Sequence, residues 1–319
     1  MRREGRIGAA SRDGVTREVA GNGGGPLNRS AESEGAVITS FHEPETRPAS
    51  NRRRMLFGLV VGASALLVIA FIGFMAGDAA MATDFAAKNL APSLAHPFGT
   101  DWMGRDMLLR TLAGLSTSLF VGLLAAGASS LLALALAGIA AFGGPRADAL
   151  VSWLIDLVMG IPHIVLLILI SYALGKGFWG VTVGVALTHW PSLTRVLRAE
   201  IMQCREQPFV AVSSHLGVGR VRLVLDHMLP YVLPQLIVGL VLMFPHAILH
   251  EASITFLGFG LSPDQPAIGV ILSESMSYLS AGMWWLAAFP GVALVACVAL
   301  FARLGDLARR LVDARTVQE

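Results

Sequence analysis

Residues 52–77, RRRMLFGLVVGASALLVIAFIGFMAG, set three consecutive arginines against a run with no charged side chain. From Met55 to Gly77 that run is long enough, at about 1.5 Å per helical residue, to cross a hydrocarbon core about 30 Å thick. Lipid offers the backbone no hydrogen-bond partner, so the run must satisfy its own amides as a helix. Arginines before an apolar run, with Ala80, Met81 and Ala82 behind it, also describe a twin-arginine export signal. Further apolar runs favour a retained anchor: they lie at roughly 115–142, 150–174, 177–195, 229–250 and 285–303, making six spans in all.

Composition points the same way. The chain is 54% hydrophobic and 14% charged, with a mean hydropathy of +0.64, too little polar surface to cover a soluble globule of 319 residues. A net charge of +2 gives no field that would draw nucleic acid. Cys204 and Cys297 are too few and too far apart for a disulfide framework or metal knuckle, and read as free thiols. The expectation is an all-α integral membrane protein with six transmembrane helices. An even count puts both termini on one side. That side would carry the ten arginines up to Arg54, then Arg146, Arg195, Arg198, Arg205, Arg220, Arg222, Arg303, Arg309, Arg310 and Arg315; the other keeps Lys88, Arg105, Arg110 and Lys176. The asymmetry predicts N-in, C-in.

Three regions follow. Residues 1–50 are Gly-, Ser-, Arg- and Glu-rich without an apolar face and read as a disordered cytoplasmic tail, or as the product of a start site placed too early. Residues 51–95 hold the first transmembrane helix and an external segment. Residues 96–319 hold the other five helices, with a polar cytoplasmic loop at 205–228.

That loop and the start of the next span read REQPFVAVSSHLGVGRVRLVLDHMLP, residues 205–230. Phe209, Val210, Val212 and Leu216 recur near helical spacing, with Ala211 and Ser213 between them. Gly217 stands where a helix ends on a residue of positive φ. A second short helical stretch follows, and Leu229 and Pro230 open the fifth span, proline being tolerated in a first turn. A connector on the membrane surface and a docking knob for a soluble partner both fit this pattern.

Gly217 followed after nine residues by His227, Met228, Leu229 and Pro230 resembles the EAA loop of ATP-binding-cassette importer permeases. HPFGTDWMGRD (96–106) resembles the HxxGTDxxGRD signature of the branch serving dipeptides, oligopeptides or nickel, the DppC/OppC/NikC branch. ITFLGFGLSPDQPAIGVIL (254–272) is similar to its FLGLG…P…WG segment, and LGDLARRLVDAR (304–315) to its closing motif. The likeness covers about residues 55–315. It implies a type I importer permease fold, a second permease subunit, ATPase subunits that bind ATP and Mg, and an extracytoplasmic solute-binding protein. It also implies that the 205–228 loop fits a groove in the ATPase and couples ATP-driven closure to the spans. The chain departs from the pattern at Ala211, Val212 and Ser213, which stand for Glu-Ala-Ala, at Asp226, where arginine is usual, and at Ala267 and Ile268, where Glu-Trp is frequent.

No stretch matches G-x-x-x-x-G-K-[ST]; Gly175-Lys176-Gly177 lacks both the leading glycine and the hydroxyl. Energy must therefore come from a partner ATPase or from an ion gradient. An ion-driven carrier would use intramembrane carboxylates such as Asp156 and Glu251 and would carry an inverted repeat, which the halves do not show. A non-transport scaffold is a third reading. Asp156 should face the bundle or the cytoplasmic interface, since a lipid-facing charge costs about 2.5–3.5 kcal/mol. His246 and His250 share a helix face with Glu251 beside them, and either bind a transition metal or hydrogen-bond substrate or neighbouring helices. His163 and His189 read as lone histidines serving local polar needs. Asp156, His246, His250 and Glu251 are the candidates for the translocation path.

Overall fold

The computed structural model describes residues 50–312, so the expected tail before Ser50, as well as Arg315, lies outside the described residues. The regular elements among them are helices. The first are α1 (Ser50–Met75) and the short α2 (Gly77–Met81), followed by a 3-10 turn at Phe85–Ala87 and a loop. Then come α3 (Met107–Phe142), α4 (Gly144–Gly160), α5 (His163–Ala173), α6 (Gly177–Arg205), α7 (Pro208–His215) and α8 (Arg220–Leu223). A π-turn at Val224–Met228 leads into α9 (Leu229–Phe256), and α10 (Ile268–Leu279) and α11 (Trp285–Val312) complete the order.

Asp106 sets the start of α3: its Oδ1 accepts from the Leu108 and Leu109 amides at 2.9 and 3.0 Å, satisfying donors a helix start leaves open. The buried side of α3 is a stripe of Ala, Gly and Ser, including Ala113, Gly114, Ser118, Gly122, Ala126 and Ala133. Small residues let backbones approach where lipid supplies no hydrophobic drive between helices, and α1, α6 and α9 all pack on α3. At Gly122 a Cβ would stand 2.9 Å from Ile248 of α9.

The contacts also fix which ends of the helices meet. The last turns of α1 touch the first turns of α3, where Ser116 donates to the Ala70 carbonyl at 2.8 Å. At the far end of α3, Arg205 donates to the Ala141 carbonyl and its guanidinium lies over the Phe142 ring. Gly58 and Gly62 near the start of α1 face Leu307 and Leu304 near the end of α11. One end of the bundle thus gathers the start of α1, the end of α11 and residues 205–228. Arg52, Arg53, Arg54, Arg146, Arg205, Arg222, Arg303 and Arg309 lie on that end, and Lys88, Arg105, Arg110 and Lys176 lie towards the other.

The apolar runs do not all become straight spans. Four helices among the described residues are long and apolar enough to cross a membrane: Arg52–Met75, Met107–Phe142, Val224–Phe256 and Trp285–Leu311. The expected run at 150–174 is broken between α4 and α5 by a bend of 95°. Pro162 drives residue 161 out of the helical region, and Ile161 is extended with ψ 136°. The run at 177–195 becomes α6, which is 29 residues long, about 43 Å. Its Thr182, Thr188, His189, Thr194, Arg195 and Arg198 keep it below the hydropathy of a lipid-exposed span. Much of α6 is covered by protein, so neighbouring helices take the place of lipid on that surface.

A second departure concerns Leu229 and Pro230. They do not open a fresh helix: α8 runs through the π-turn into α9, with the Leu229 amide donating to the Val224 carbonyl. The ring of Pro230 conflicts with the carbonyl four residues earlier, and widening the preceding turn makes room for it.

Candidate functional site

Residues 205–228 fold as a small unit at the arginine-rich end. Val210 of α7, Leu223 of α8, Met228 and Cys204 bury one another, and Val218 and Val224 pack against them. Gly217 has φ +81°, and the Val218 amide reaches back to the Ser213 carbonyl at 3.2 Å. This is a Schellman-type helix end, in which the residue after glycine adds an apolar contact. With Val210 turned inward, α7 presents Phe209, Val212 and Leu216 outward; Leu216 is 79% exposed. Ala211 is also exposed, while Ser213 is half-buried with its Oγ 3.2 Å from His227 Nε2. Phe209 lies edge-on to the His227 ring, centroids 5.9 Å apart. Arg222 and Asp226 pair at 3.0 Å on the outside, so the acid at the usual arginine position is neutralised within its own helix. The unit is an apolar knob on a rigid turn.

The second group of candidates is rearranged. Glu251 does not stand beside His246 and His250 on an open face. One residue is a 100° step around a helix, and that step turns Glu251 inward, where it is fully buried and accepts from Thr255 Oγ1 at 3.0 Å. Of the two surroundings expected for Asp156, the bundle interior is not the one it takes: it is exposed on α4 and paired at 2.6 Å with Arg195 of α6, one of the arginines expected on the cytoplasmic side. Asp148 and Arg198 form a second α4–α6 pair nearby. His163 and His189, expected to stand alone, meet His250 instead. The three rings come from α5, α6 and α9, with centroids 4.4–5.0 Å apart and planes 72–87° to one another. The signal was present in the sequence, since ionisable residues inside spans are functional candidates by default. What it could not show is that the break at Pro162 swings His163 towards the other two. His246 stays exposed, one turn along α9 on the arginine-rich side of His250.

The loop before α3 is held by a buried ionic knot. Asp101 Oδ2 takes Arg105 Nε at 2.6 Å and Arg110 Nη1 at 3.0 Å. Its Oδ1 accepts from the Met103 and Arg105 amides at 2.8 and 2.9 Å. Glu274 of α10 pairs with the same two guanidiniums at 3.3 and 2.8 Å. His96 Nδ1 lies 2.7 Å from Asp106 Oδ2, tying the helix cap to the loop. The HxxGTDxxGRD signature is thus a structural clamp joining the loop, α3 and α10. Two of the four cations on this end are consumed inside it.

The chain matches the family described as binding-protein-dependent transport system inner membrane component over residues 129–318. It is 34% identical over 287 residues to a putative peptide permease protein of Brucella suis, covering 88% of this chain and 94% of that one. It is 30% identical over 280 residues to the dipeptide transport system permease protein DppC of Bacillus subtilis, covering 88% and 87%. A putative peptide transport system permease protein of Brucella melitensis is 33% identical over 296 residues, covering 90% of this chain and 99% of its own length. The chain therefore belongs to the inner-membrane components of binding-protein-dependent transport systems, in the DppC/OppC branch of ABC importer permeases.

Proposed function

We propose that this chain is the membrane subunit of an ATP-driven peptide importer, with six spans and both termini in the cytoplasm. Peptide as substrate follows the relatives' names, peptide permease and dipeptide permease. The observation that carries the ATP-driven reading is the knob: Phe209, Val212 and Leu216 stand out from α7 on the arginine-rich end, aimed by the Gly217 turn. An exposed apolar cluster on a positively charged membrane face fits a soluble partner's groove, here an ATPase subunit that binds ATP and Mg. Four spans stand alone, the bent α4–α5 pair counts as the fifth and the protein-covered α6 as the sixth. The arginine-rich end then faces the cytoplasm by the positive-inside rule.

A second permease subunit would cover the open face of α4 and α5, where Trp153, Leu157, Ile164, Val165 and Leu169 are exposed. An extracytoplasmic binding protein would deliver to the opposite end. Closure of the ATPases would pull the two permeases' 205–228 units together and tip the spans outward-open, so that substrate enters between the subunits. Nickel or a metal chelate is a second cargo reading, favoured by the histidine cluster.

The functional test is uptake of a labelled dipeptide by cells carrying the whole transport system, with and without this chain. The expected uptake requires the chain, persists after a protonophore collapses the proton gradient, and stops when ATP is depleted. Uptake abolished by the protonophore at constant ATP overturns the ATP-driven reading. Orientation has its own test in a chain with Cys204 and Cys297 replaced by alanine. A cysteine at Ser262 should react with a membrane-impermeant thiol reagent in intact cells, and one at Leu216 only after permeabilisation. The reverse pattern overturns N-in, C-in.

A further inference from the structure

We propose that His163, His189 and His250 form a binding site for a divalent transition-metal ion of the nickel, copper and zinc class, which the chain takes as cargo. Each ring offers a nitrogen within 4.8 Å of the others. Bonds of about 2.0–2.1 Å in a tetrahedral centre need nitrogens about 3.3 Å apart, a gap that small side-chain rotations close.

The hydrogen bonds around the cluster fix the right tautomer for two of the three rings. His189 Nδ1 donates to the Val185 carbonyl at 2.9 Å, and His250 Nδ1 donates to the His246 carbonyl at 2.7 Å. A ring whose Nδ1 holds the proton carries its lone pair on Nε2, the arrangement that orients a metal-binding histidine through its second nitrogen. His189 Nε2 and His163 Nε2 are buried with no hydrogen-bond partner. A buried polar atom left unpaired costs about 1–3 kcal/mol, and one ion shared by the rings satisfies them together.

The surroundings select the class of ion. No carboxylate joins the three rings among the described residues: Asp156 pairs with Arg195, and Glu251 is turned to another face of α9, where it accepts from Thr255. The donors are therefore neutral imidazoles, which suit nickel, copper or zinc and not magnesium or calcium. A cavity of about 480 Å³ opens beside His163 and His189, lined also by Met159, Pro162, Thr188 and Ser192. It leaves room for a fourth ligand, either water or a small chelator that arrives with the ion. His189 lies 12 residues from the start of α6, about 18 Å along the helix, near half a bilayer deep. His246 is the next imidazole towards the arginine-rich end. A site with no carboxylate among its ligands, open on one side and followed by a fourth imidazole, suits an ion in passage.

The role as cargo rests on the permease reading, but binding is measurable without it. The full chain, purified with its companion permease in detergent, is dialysed against Ni2+, Zn2+ or Mg2+, and bound metal is counted per chain. The expected result is one Ni2+ or Zn2+ per chain, no Mg2+, and binding at least tenfold weaker in His163→Ala and His250→Gln at unchanged melting temperature. His163→Ala is the primary variant, and His250→Gln serves if it fails to accumulate. Metal binding equal in wild type and both variants overturns the site. In cells, uptake of free Ni2+ is compared with that of a Ni2+–histidine chelate, and dipeptide uptake serves as the reference. Loss in the variants of either form of nickel uptake, with dipeptide uptake kept, supports metal as cargo, and the affected form identifies what is carried. Equal loss of dipeptide and metal uptake, or of neither, overturns the cargo role while leaving the peptide-permease reading intact.

Discussion

Asp101→Ala is expected to lower the melting temperature of the purified protein by about 6–20 °C and to cut its abundance in the membrane several-fold. Arg105 and Arg110 are 4% and 1% exposed, and Asp101 is the carboxylate that both share deepest in the knot. Its removal leaves two buried guanidiniums against one partly exposed carboxylate, Glu274, and strips the Met103 and Arg105 amides of their acceptor. Breaking a buried pair in this way costs about 3–5 kcal/mol, and each kcal/mol moves a domain of this size by about 2–4 °C. Asp101→Asn should fall between, because the amide oxygen still accepts from the backbone but carries no charge. Melting in detergent, followed by intrinsic fluorescence, checks this. A shift below about 2 °C for Asp101→Ala would mean that the knot contributes nothing to holding the loop on α3 and α10.

Gly217→Val is expected to leave the spans intact and to reduce ATP-dependent uptake about tenfold. At φ +81° a side chain is strained even though a Cβ there would meet open space. The left-handed conformation costs a residue with a Cβ about 1–2 kcal/mol, and a change of that size shifts a two-state ratio by about 5–30-fold. Among the described residues α7 is held by a small cluster, Val210 with Leu223, Met228 and Cys204, and by the contacts of Phe209 and Ser213 with His227, so the strain is relieved by re-aiming α7 and not by disturbing the bundle. Gly217→Asn should restore most of the activity, since asparagine tolerates the left-handed region. Uptake by Gly217→Val at the wild-type rate, at equal abundance, would return residues 205–228 to the role of a surface connector.

Length, hydropathy and arginine placement made the class of the molecule legible, because a lipid-exposed helix must be apolar and its charged flanks sort by side. α1, α3 and α11 were readable for that reason. α6 was legible as an apolar run but not as a span with polar interior positions, since burial against α3 and α9 relaxes the requirement for apolar side chains that hydropathy measures. The turn at Gly217 was readable because positive φ has a local signature. The π-turn before Pro230 was not, because it depends on α8 running without a break into α9. Pro162 was visible in the sequence, yet its consequence is three-dimensional: a 95° bend that carries His163 to His189 and His250. Glu251 lies off the face of His246 and His250 for the converse reason, since adjacency in sequence places two helical residues on different faces.

The central claim is that residues 205–228 seat in a partner ATPase. The most direct measurement replaces Leu216 with a genetically encoded photo-cross-linking residue in cells expressing the whole transport system, with the same residue at Ser262 as the control. Illumination of native membranes should give an adduct of this chain with the ATPase subunit from position 216 and none from position 262. An ATPase adduct from position 262, or none from position 216 in a complex that purifies intact, would contradict the account.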